Sequence, residues 1–248
     1  MVPQLKRLWK ICFGDSDGYI DNFFKNAYVP EHTMIYVKNG QAAGAAYLFP
    51  CEIKGRRASY LYAGGVFPEF RRQGIYEEMM HEWSRWCIER DIIPFLKPAD
   101  DKLWEYYKKI GFHEFIGGKC VVIDGSGTDK CTVSGIGSAE FAAMRDDKYI
   151  KWHHMDYIFR ENEICGSSCI RVSTQRGECA MVYAVIDEVM YVRGFAGDID
   201  VLKSCSADLM KKTGAKRIYV TVNGDKMHIT AAVGAEKMTD VAADLLMD

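Results

Sequence analysis

The alternation of strand and helix periods along this chain predicts a mixed α/β fold, α+β in its segregation of elements, made of two related halves. Three observations carry that expectation. Three short antiparallel strands are written as a meander between residues 34 and 66. The third strand runs into a basic, glycine-containing turn that opens a strongly amphipathic helix. Beyond residue 130 the same order of elements partly returns. A chain of 248 residues suits one large domain or two small ones, and its 48% hydrophobic content is enough to fill a core.

In chain order, Leu5, Leu8, Trp9 and Cys12 share one helical face, and so do Tyr19, Ile20, Phe23, Phe24 and Ala27. Helices are therefore expected over 4–12 and 16–27, the second capped by Asp17. Met34 to Lys38 reads as a strand, Asn39-Gly40 as a hairpin turn and 42–53 as its partner. Lys54-Gly55 turns the chain again into a strand over 57–66, which Pro68 ends. Ile75, Met79, Trp83, Trp86 and Cys87 predict a helix over 74–90 packed on the sheet. A strand over 92–97 follows, then a short helix through Lys109 capped by Asp100 or Asp101, with Gly111 at its C-cap and Phe112 opening a strand.

Asp-Gly-Ser-Gly-Thr-Asp-Lys at 124–130 reads as a linker, which sets expected domains at 1–123 and 131–248. In the second, strands are expected over 170–173, 178–186, 189–195 and 216–222, with a helix over 199–213 capped by Asp198. Tyr191 to Phe195 stands where Tyr62 to Val66 stood, and Gly234 where Gly111 stood.

Composition narrows the function classes. A net charge of −2 gives no electrostatic reason to expect nucleic acid or an anionic membrane surface as a partner. No run approaches the ~20 apolar residues of a spanning helix, and Met-Val-Pro-Gln-Leu-Lys-Arg lacks the apolar core of a signal peptide, so a cytoplasmic protein with no membrane partner is expected. Nine scattered cysteines suit free thiols. Cys165 and Cys169 have no second pair at ligand spacing, and His153 and His154 diverge on any regular element, so no metal is expected.

The informative chemistry lies at 66–76, Val-Phe-Pro-Glu-Phe-Arg-Arg-Gln-Gly-Ile-Tyr, and at 107–112, Tyr-Lys-Lys-Ile-Gly-Phe. Arg71 and Arg72 supply cationic donors for phosphate oxygens. Gly74 permits close backbone approach. The backbone N–H groups of Arg72, Gln73, Gly74, Ile75 and Tyr76 fall where a helix begins and no carbonyl is available to pair with them, which favours a pyrophosphate. Tyr107 places a phenol a fixed distance further along.

The pattern Val-x-Pro-x-x-Arg-x-x-Gly on a strand–turn–helix, followed by Tyr-x-Lys-x-Gly-Phe, resembles the GNAT acetyltransferase superfamily over roughly residues 1–123. The superfamily's phosphate loop runs Arg/Gln-x-x-Gly-x-Gly/Ala; here Arg71 and Gly74 match it, and Tyr76 replaces the last small residue. The duplicated layout and the Arg-Arg-x-Gly form also resemble the tandem-domain branch typified by the enhanced-intracellular-survival acetyltransferases, whose members carry a further C-terminal domain that is not expected in these 248 residues.

The resemblance implies a GNAT-like mixed sheet with flanking helices and acetyl-CoA as co-substrate. Backbone at Gly65 and Val66 would line the pantetheine in a gap between splayed strands. Tyr107 matches the general acid that protonates the leaving thiolate. The implied acceptor is a primary amine on a small molecule or peptide. Three sources stand open for the general base: Glu52, the terminal carboxylate of Asp248, or water. The second half would be a degenerate copy that binds no CoA, since its turn at 194–200 has no cation and carries Asp198 and Asp200. Its expected role is to complete a continuous sheet or to wall off the acceptor site. Two other readings compete: a non-catalytic acyl-CoA-binding or sensing module, and an inert scaffold. Open strand edges could pair two copies into a homodimer.

Overall fold

A computed structural model describes residues 1–224, 227–228 and 230–242. In chain order its regular elements are α1 (Val2–Phe13), α2 (Asp17–Asn26), β1 (Thr33–Lys38), β2 (Gln41–Ile53), β3 (Arg56–Val66), α3 (Ile75–Ile88), β4 (Ile93–Leu96), α4 (Asp101–Lys109) and β5 (His113–Glu114). There follow β6 (Gly117–Ile123), β7 (Thr132–Gly135), α5 (Ser138–Ala143), β8 (Lys151–Trp152), α6 (Met155–Ile164), β9 (Ser168–Thr174), β10 (Gly177–Ile186) and β11 (Val189–Gly197). The last are α7 (Ile199–Ser204), α8 (Ser206–Thr213), β12 (Arg217–Asn223), β13 (Met227–His228) and β14 (Ala231–Ala232).

The chain forms two compact units. The first holds Met1–Phe115, Trp152–Tyr157 and His228–Met238; the second holds Ile116–Lys151, Ile158–Met227 and, of the described residues that follow, 239–242. The expected division at 1–123 and 131–248 therefore differs from the observed one. Residues 117–123 form an edge of the second sheet, where β6 pairs antiparallel with β12. In exchange, β14 lies between β4 and β5 in the first sheet. The residues read as a linker are held too: Asp129 N–H donates to Ser204 O at 2.9 Å. A composition rich in Gly and Asp describes a loop, and only pairing decides which sheet the flanking strands join.

In the first unit the strand order is β1-β2-β3-β4-β14-β5. The expected meander is present. Asn39 and Gly40 turn at φ 53° and 76°, and Lys54 and Gly55 at 50° and 73°, the positive values that a two-residue hairpin of this hand requires. Ser16 rather than Asp17 caps α2, accepting from Tyr19 N–H at 3.2 Å. Asp100 caps α4, accepting from Leu103 N–H at 2.8 Å. The core between α3 and the sheet contains Ile75, Met79, Trp83 and Cys87, all buried. Trp86, expected in that stripe, is half exposed under the Arg90 guanidinium, 4.7 Å from its ring centroid. By helical angle Trp86 falls about 20° from Met79, so the period alone places it in the stripe, and its exposure in the last turn of α3 is decided by what packs opposite rather than by the period.

In the second unit β9-β10-β11-β12 repeats the arrangement β1-β2-β3-β4, with β11 and β12 parallel as β3 and β4 are. Its strands form a separate sheet, so the expectation of one continuous sheet does not hold. Gly234 shares a positive φ with Gly111, yet it follows the two-residue β14 rather than a helix, so that part of the expected repeat fails. The helix expected over 199–213 is broken at Cys205. The backbone of 127–129 enters the break: Ala207 N–H donates to Gly127 O at 3.1 Å, and a Cβ at Gly127 would lie 1.8 Å from Lys203 O. Elements the sequence left unmarked, α5 and α6 among them, carry no long amphipathic period.

Candidate active site

The site is built where β3 hands over to α3. β3 pairs with β4 only from Ala58–Ile93 to Leu61–Leu96, yet β3 continues to Val66. Its last residues pair on the other side alone, with Gly44 to Ala46 of β2. A parallel pair that ends early leaves a wedge open at the C-terminal end of the sheet, where α/β folds commonly take ligands. Gly65 and Val66 border this wedge.

A short 3-10 turn, Pro68–Phe70, then leads through Arg71–Gln73 into α3. Arg72 at φ 60° and Gly74 at φ 76° reverse the chain tightly. Gly74 is the N-cap, and no side chain caps the helix. The first intrahelical bond runs from Glu78 N–H to Gly74 O at 3.0 Å, so the N–H groups just before it face the turn unclaimed by the helix. A cleft of about 470 Å³ lies here, lined by Val66, Arg71, Arg72, Gly74, Tyr76 and Tyr106, with others.

The two arginines do different things. Arg71 Nε donates to Val66 O at 2.9 Å and one terminal nitrogen reaches Cys12 Sγ at 3.7 Å, so this side chain ties the turn to the strand end. The remaining guanidinium N–H donors are not used by these two contacts. Arg72 is exposed and has no hydrogen-bond or ion-pair partner among the described residues. Gln73 spans the turn, donating to Glu69 O at 3.2 Å and accepting from Lys38 Nζ at 2.6 Å. Ile75 is buried in the core and offers the site only backbone.

Tyr107 is 5% exposed on the inner face of α4, and its hydroxyl lies 2.8 Å from that of Tyr76. Burial pushes the Tyr107 phenol above its ordinary value, and the hydrogen bond with Tyr76 pulls it partly back. Burial raises Tyr76 well above the usual range, with Tyr107 adding to the effect. Both phenols are therefore neutral at physiological pH. The adjacent Tyr106 is only half-buried, and burial, followed by Glu77, raises it to about 12. Gly64 makes room for the pair, because a Cβ there would lie 2.9 Å from the Tyr76 hydroxyl oxygen.

Of the sources considered for a base, Glu52 pairs in register with Arg57. That is seven residues along β3 from Gly64, roughly 23 Å at ordinary strand rise. It faces His153, at 3.7 Å. Asp248 lies outside the described residues. His154 is half-buried against Phe49, and burial holds its pKa down. Among the described residues no group of three or more His, Cys, Asp or Glu could hold a metal.

In the second unit the matching turn runs from β11 into α7. Asp198 caps α7, accepting from Asp200 N–H at 2.9 Å, so a carboxylate already holds the helix start. The residues that sequence reasoning missed are Gly64 and the role of Tyr76. The small residue at 64 was visible, but its partner across the sheet was not.

The fold and site define a mixed-sheet domain with a splayed parallel pair and an uncapped helix start beside a buried phenol, an arrangement suited to a phosphorylated cofactor. Residues 1–114 match the acetyltransferase (GNAT) domain family, and they form a GNAT acetyltransferase domain. No curated protein matches the chain. Among solved structures, the GCN5-related N-acetyltransferase of Anabaena variabilis aligns with a TM-score of 0.68 at 15% identity, covering 89% of this chain and 63% of that one. The Kribbella flavida GCN5-related N-acetyltransferase aligns with a TM-score of 0.68 at 15% identity, covering 93% and 68%. Eis1 of Mycobacterium abscessus aligns with a TM-score of 0.59 at 13% identity, covering 82% and 61%. These identities establish a shared fold. The chain spans under two thirds of the length of the Anabaena and Mycobacterium proteins.

Proposed function

We propose that the protein transfers an acetyl group from acetyl-CoA to a primary amine of a small molecule or peptide, and that it belongs with the tandem-domain enzymes that Eis1 represents. The carrying observation is the meeting of three features in one unit: the open β3–β4 wedge, the uncapped start of α3 and the buried Tyr107 hydroxyl, hydrogen-bonded to the Tyr76 hydroxyl that lies over Gly64. The family to which residues 1–114 match uses acetyl-CoA. In this reading the pyrophosphate sits on the N–H groups of Gly74, Ile75 and Tyr76 with Arg72 as the free cation, and the pantetheine enters the wedge at Gly65 and Val66. The amine attacks the thioester carbonyl, a C–N bond forms and the C–S bond breaks. Tyr107 gives its proton to the departing thiolate and recovers one that the amine nitrogen releases through water. No carboxylate is needed, because an amine that binds unprotonated can lose its proton to solvent after attack.

The test is calorimetric titration with acetyl-CoA beside a CoA-release assay on a panel of primary amines. One-site binding with turnover that Tyr107→Phe removes supports the reading. Binding without turnover on any amine favours the acyl-CoA-binding module, a reading to which the satisfied, buried Tyr107 hydroxyl lends weight. Absence of binding sinks both.

A further inference from the structure

Tyr76 stands where the GNAT loop pattern has a small residue, and the structure shows what its bulk does. The side chain leaves the first turn of α3 and lies over β3 at Gly64. A Cβ at Gly64 would meet the Tyr76 hydroxyl at 2.9 Å and the ring at 3.0 Å. Gly64 has no positive φ, so glycine is needed there for space rather than for backbone freedom. Beyond Gly64 the Tyr76 hydroxyl reaches the Tyr107 hydroxyl at 2.8 Å. Tyr107 is locked by its neighbours, with its ring 5.5 Å from Phe112 and 5.4 Å from Tyr106.

A phenol has one proton to give and can accept at its oxygen. In a pair of phenols one hydroxyl must donate to the other. If Tyr107 donated to Tyr76, its proton would point away from any thiolate in the wedge. If Tyr76 donates, the Tyr107 proton is left free to turn toward the wedge, and the Tyr107 oxygen keeps a donor on it after that proton is gone. The second arrangement stabilises the phenolate formed at the moment of transfer. Burial raises both phenols, and their hydrogen bond acts in opposite directions on the two, lowering Tyr107 and raising Tyr76.

We propose that Tyr76 is the positioning residue of the transfer step: its hydroxyl donates to Tyr107, aims the Tyr107 proton into the wedge and holds the phenolate left behind, with Gly64 as the space that admits it. This rests on Tyr107 being the acid. The balance of the step is unchanged. The thiolate gains the Tyr107 proton, Tyr76 keeps its own, and Tyr107 regains one from the proton that the amine nitrogen releases.

The experiment compares wild type, Tyr76→Phe, Gly64→Ala, Tyr107→Phe and the Tyr76→Phe/Tyr107→Phe double variant. Each is measured for kcat, KM for acetyl-CoA and the pH profile of kcat, on an amine that the wild type acetylates. The proposal expects Tyr76→Phe to lower kcat about tenfold, the loss of one hydrogen bond to a developing charge. It also expects KM within twofold of wild type and an alkaline limb displaced to higher pH. Gly64→Ala, which pushes the Tyr76 ring aside, should do the same, while Tyr76→Phe should add nothing in the Tyr107→Phe background. Near-UV circular dichroism and melting temperature report whether each variant is folded. An unchanged kcat and pH profile in folded Tyr76→Phe overturns the proposal, and so do independent effects in the double variant or a change in KM alone. If Tyr107→Phe abolishes turnover while Tyr76→Phe does not disturb it, this inference fails and the acetyl-transfer reading stands. If the wild type has no turnover, both fall.

Discussion

At the scale of single residues the site turns on which polar groups are free and which are committed. Arg71 ties its Nε to Val66 O, while Arg72 is unpartnered among the described residues. The two adjacent arginines should therefore fail differently. Arg72→Ala should weaken acetyl-CoA binding by about 1–2 kcal/mol, the usual worth of a charge-assisted contact, and flatten its salt dependence without moving the melting temperature. Arg71→Ala should lower the melting temperature as well, because the turn loses its tie to the strand. Calorimetry at two ionic strengths beside a thermal melt separates them. For Tyr107 the raised phenol predicts a protonated acid throughout the neutral range. Tyr107→Phe should cost about 10²-fold or more in kcat. In the wild type, the fall in kcat that marks loss of the acid should come only past about pH 10, the ordinary tyrosine value, whatever rise deprotonation of the amine gives below it. A falling limb near neutrality would assign the acid to another group. Stability follows the same sign: the unfolded chain ionises its tyrosines first, so folding weakens as pH climbs from about 10 through the raised values of Tyr76 and Tyr107.

At the scale of elements, two strand–turn–helix units of similar order have opposite electrostatics. α3 begins on Gly74 with no side-chain cap, and α7 begins on Asp198 with one. A capped helix start with a second carboxylate at Asp200 repels a pyrophosphate, so titration should give one acetyl-CoA per chain, and Asp198→Ala should leave that affinity unchanged. The break between α7 and α8 is likewise a local cause with a local test. Gly127 presses its backbone against Lys203 O, so Gly127→Ala should drive the loop out of the break and destabilise the second unit by about 1–3 kcal/mol, read by hydrogen exchange in β10 and β11. The meander, the amphipathic α3 and the turn at 71–76 were all legible, because period, turn chemistry and a missing cap are local signals. The commitment of Arg71 and the exposure of Trp86 were not, since each depends on what packs opposite.

At the scale of the whole molecule, the chain does not divide at its apparent linker. β6 belongs to the second sheet and β14 to the first. A fragment of residues 1–123 should therefore fold poorly: it lacks the strand that joins β4 to β5 and carries β6 unpaired, an exposed edge that invites aggregation. Circular dichroism and gel filtration of that fragment beside the full chain decide it, and a monomeric, cooperatively melting fragment would count against the exchange. No helix among the described residues is long and apolar enough to cross a membrane. The mixed α/β class, the duplicated order of strands and the residues of the turn at 71–76 were all written in the chain, because hydrophobic period, glycine and proline act over a few neighbours. The tertiary structure alone decided which sheet each short strand completes, which arginine is free and that Tyr76 meets Tyr107 over Gly64. Those outcomes come from contacts between residues far apart in the chain, where pairing edges and packing space are set by partners that no local pattern names.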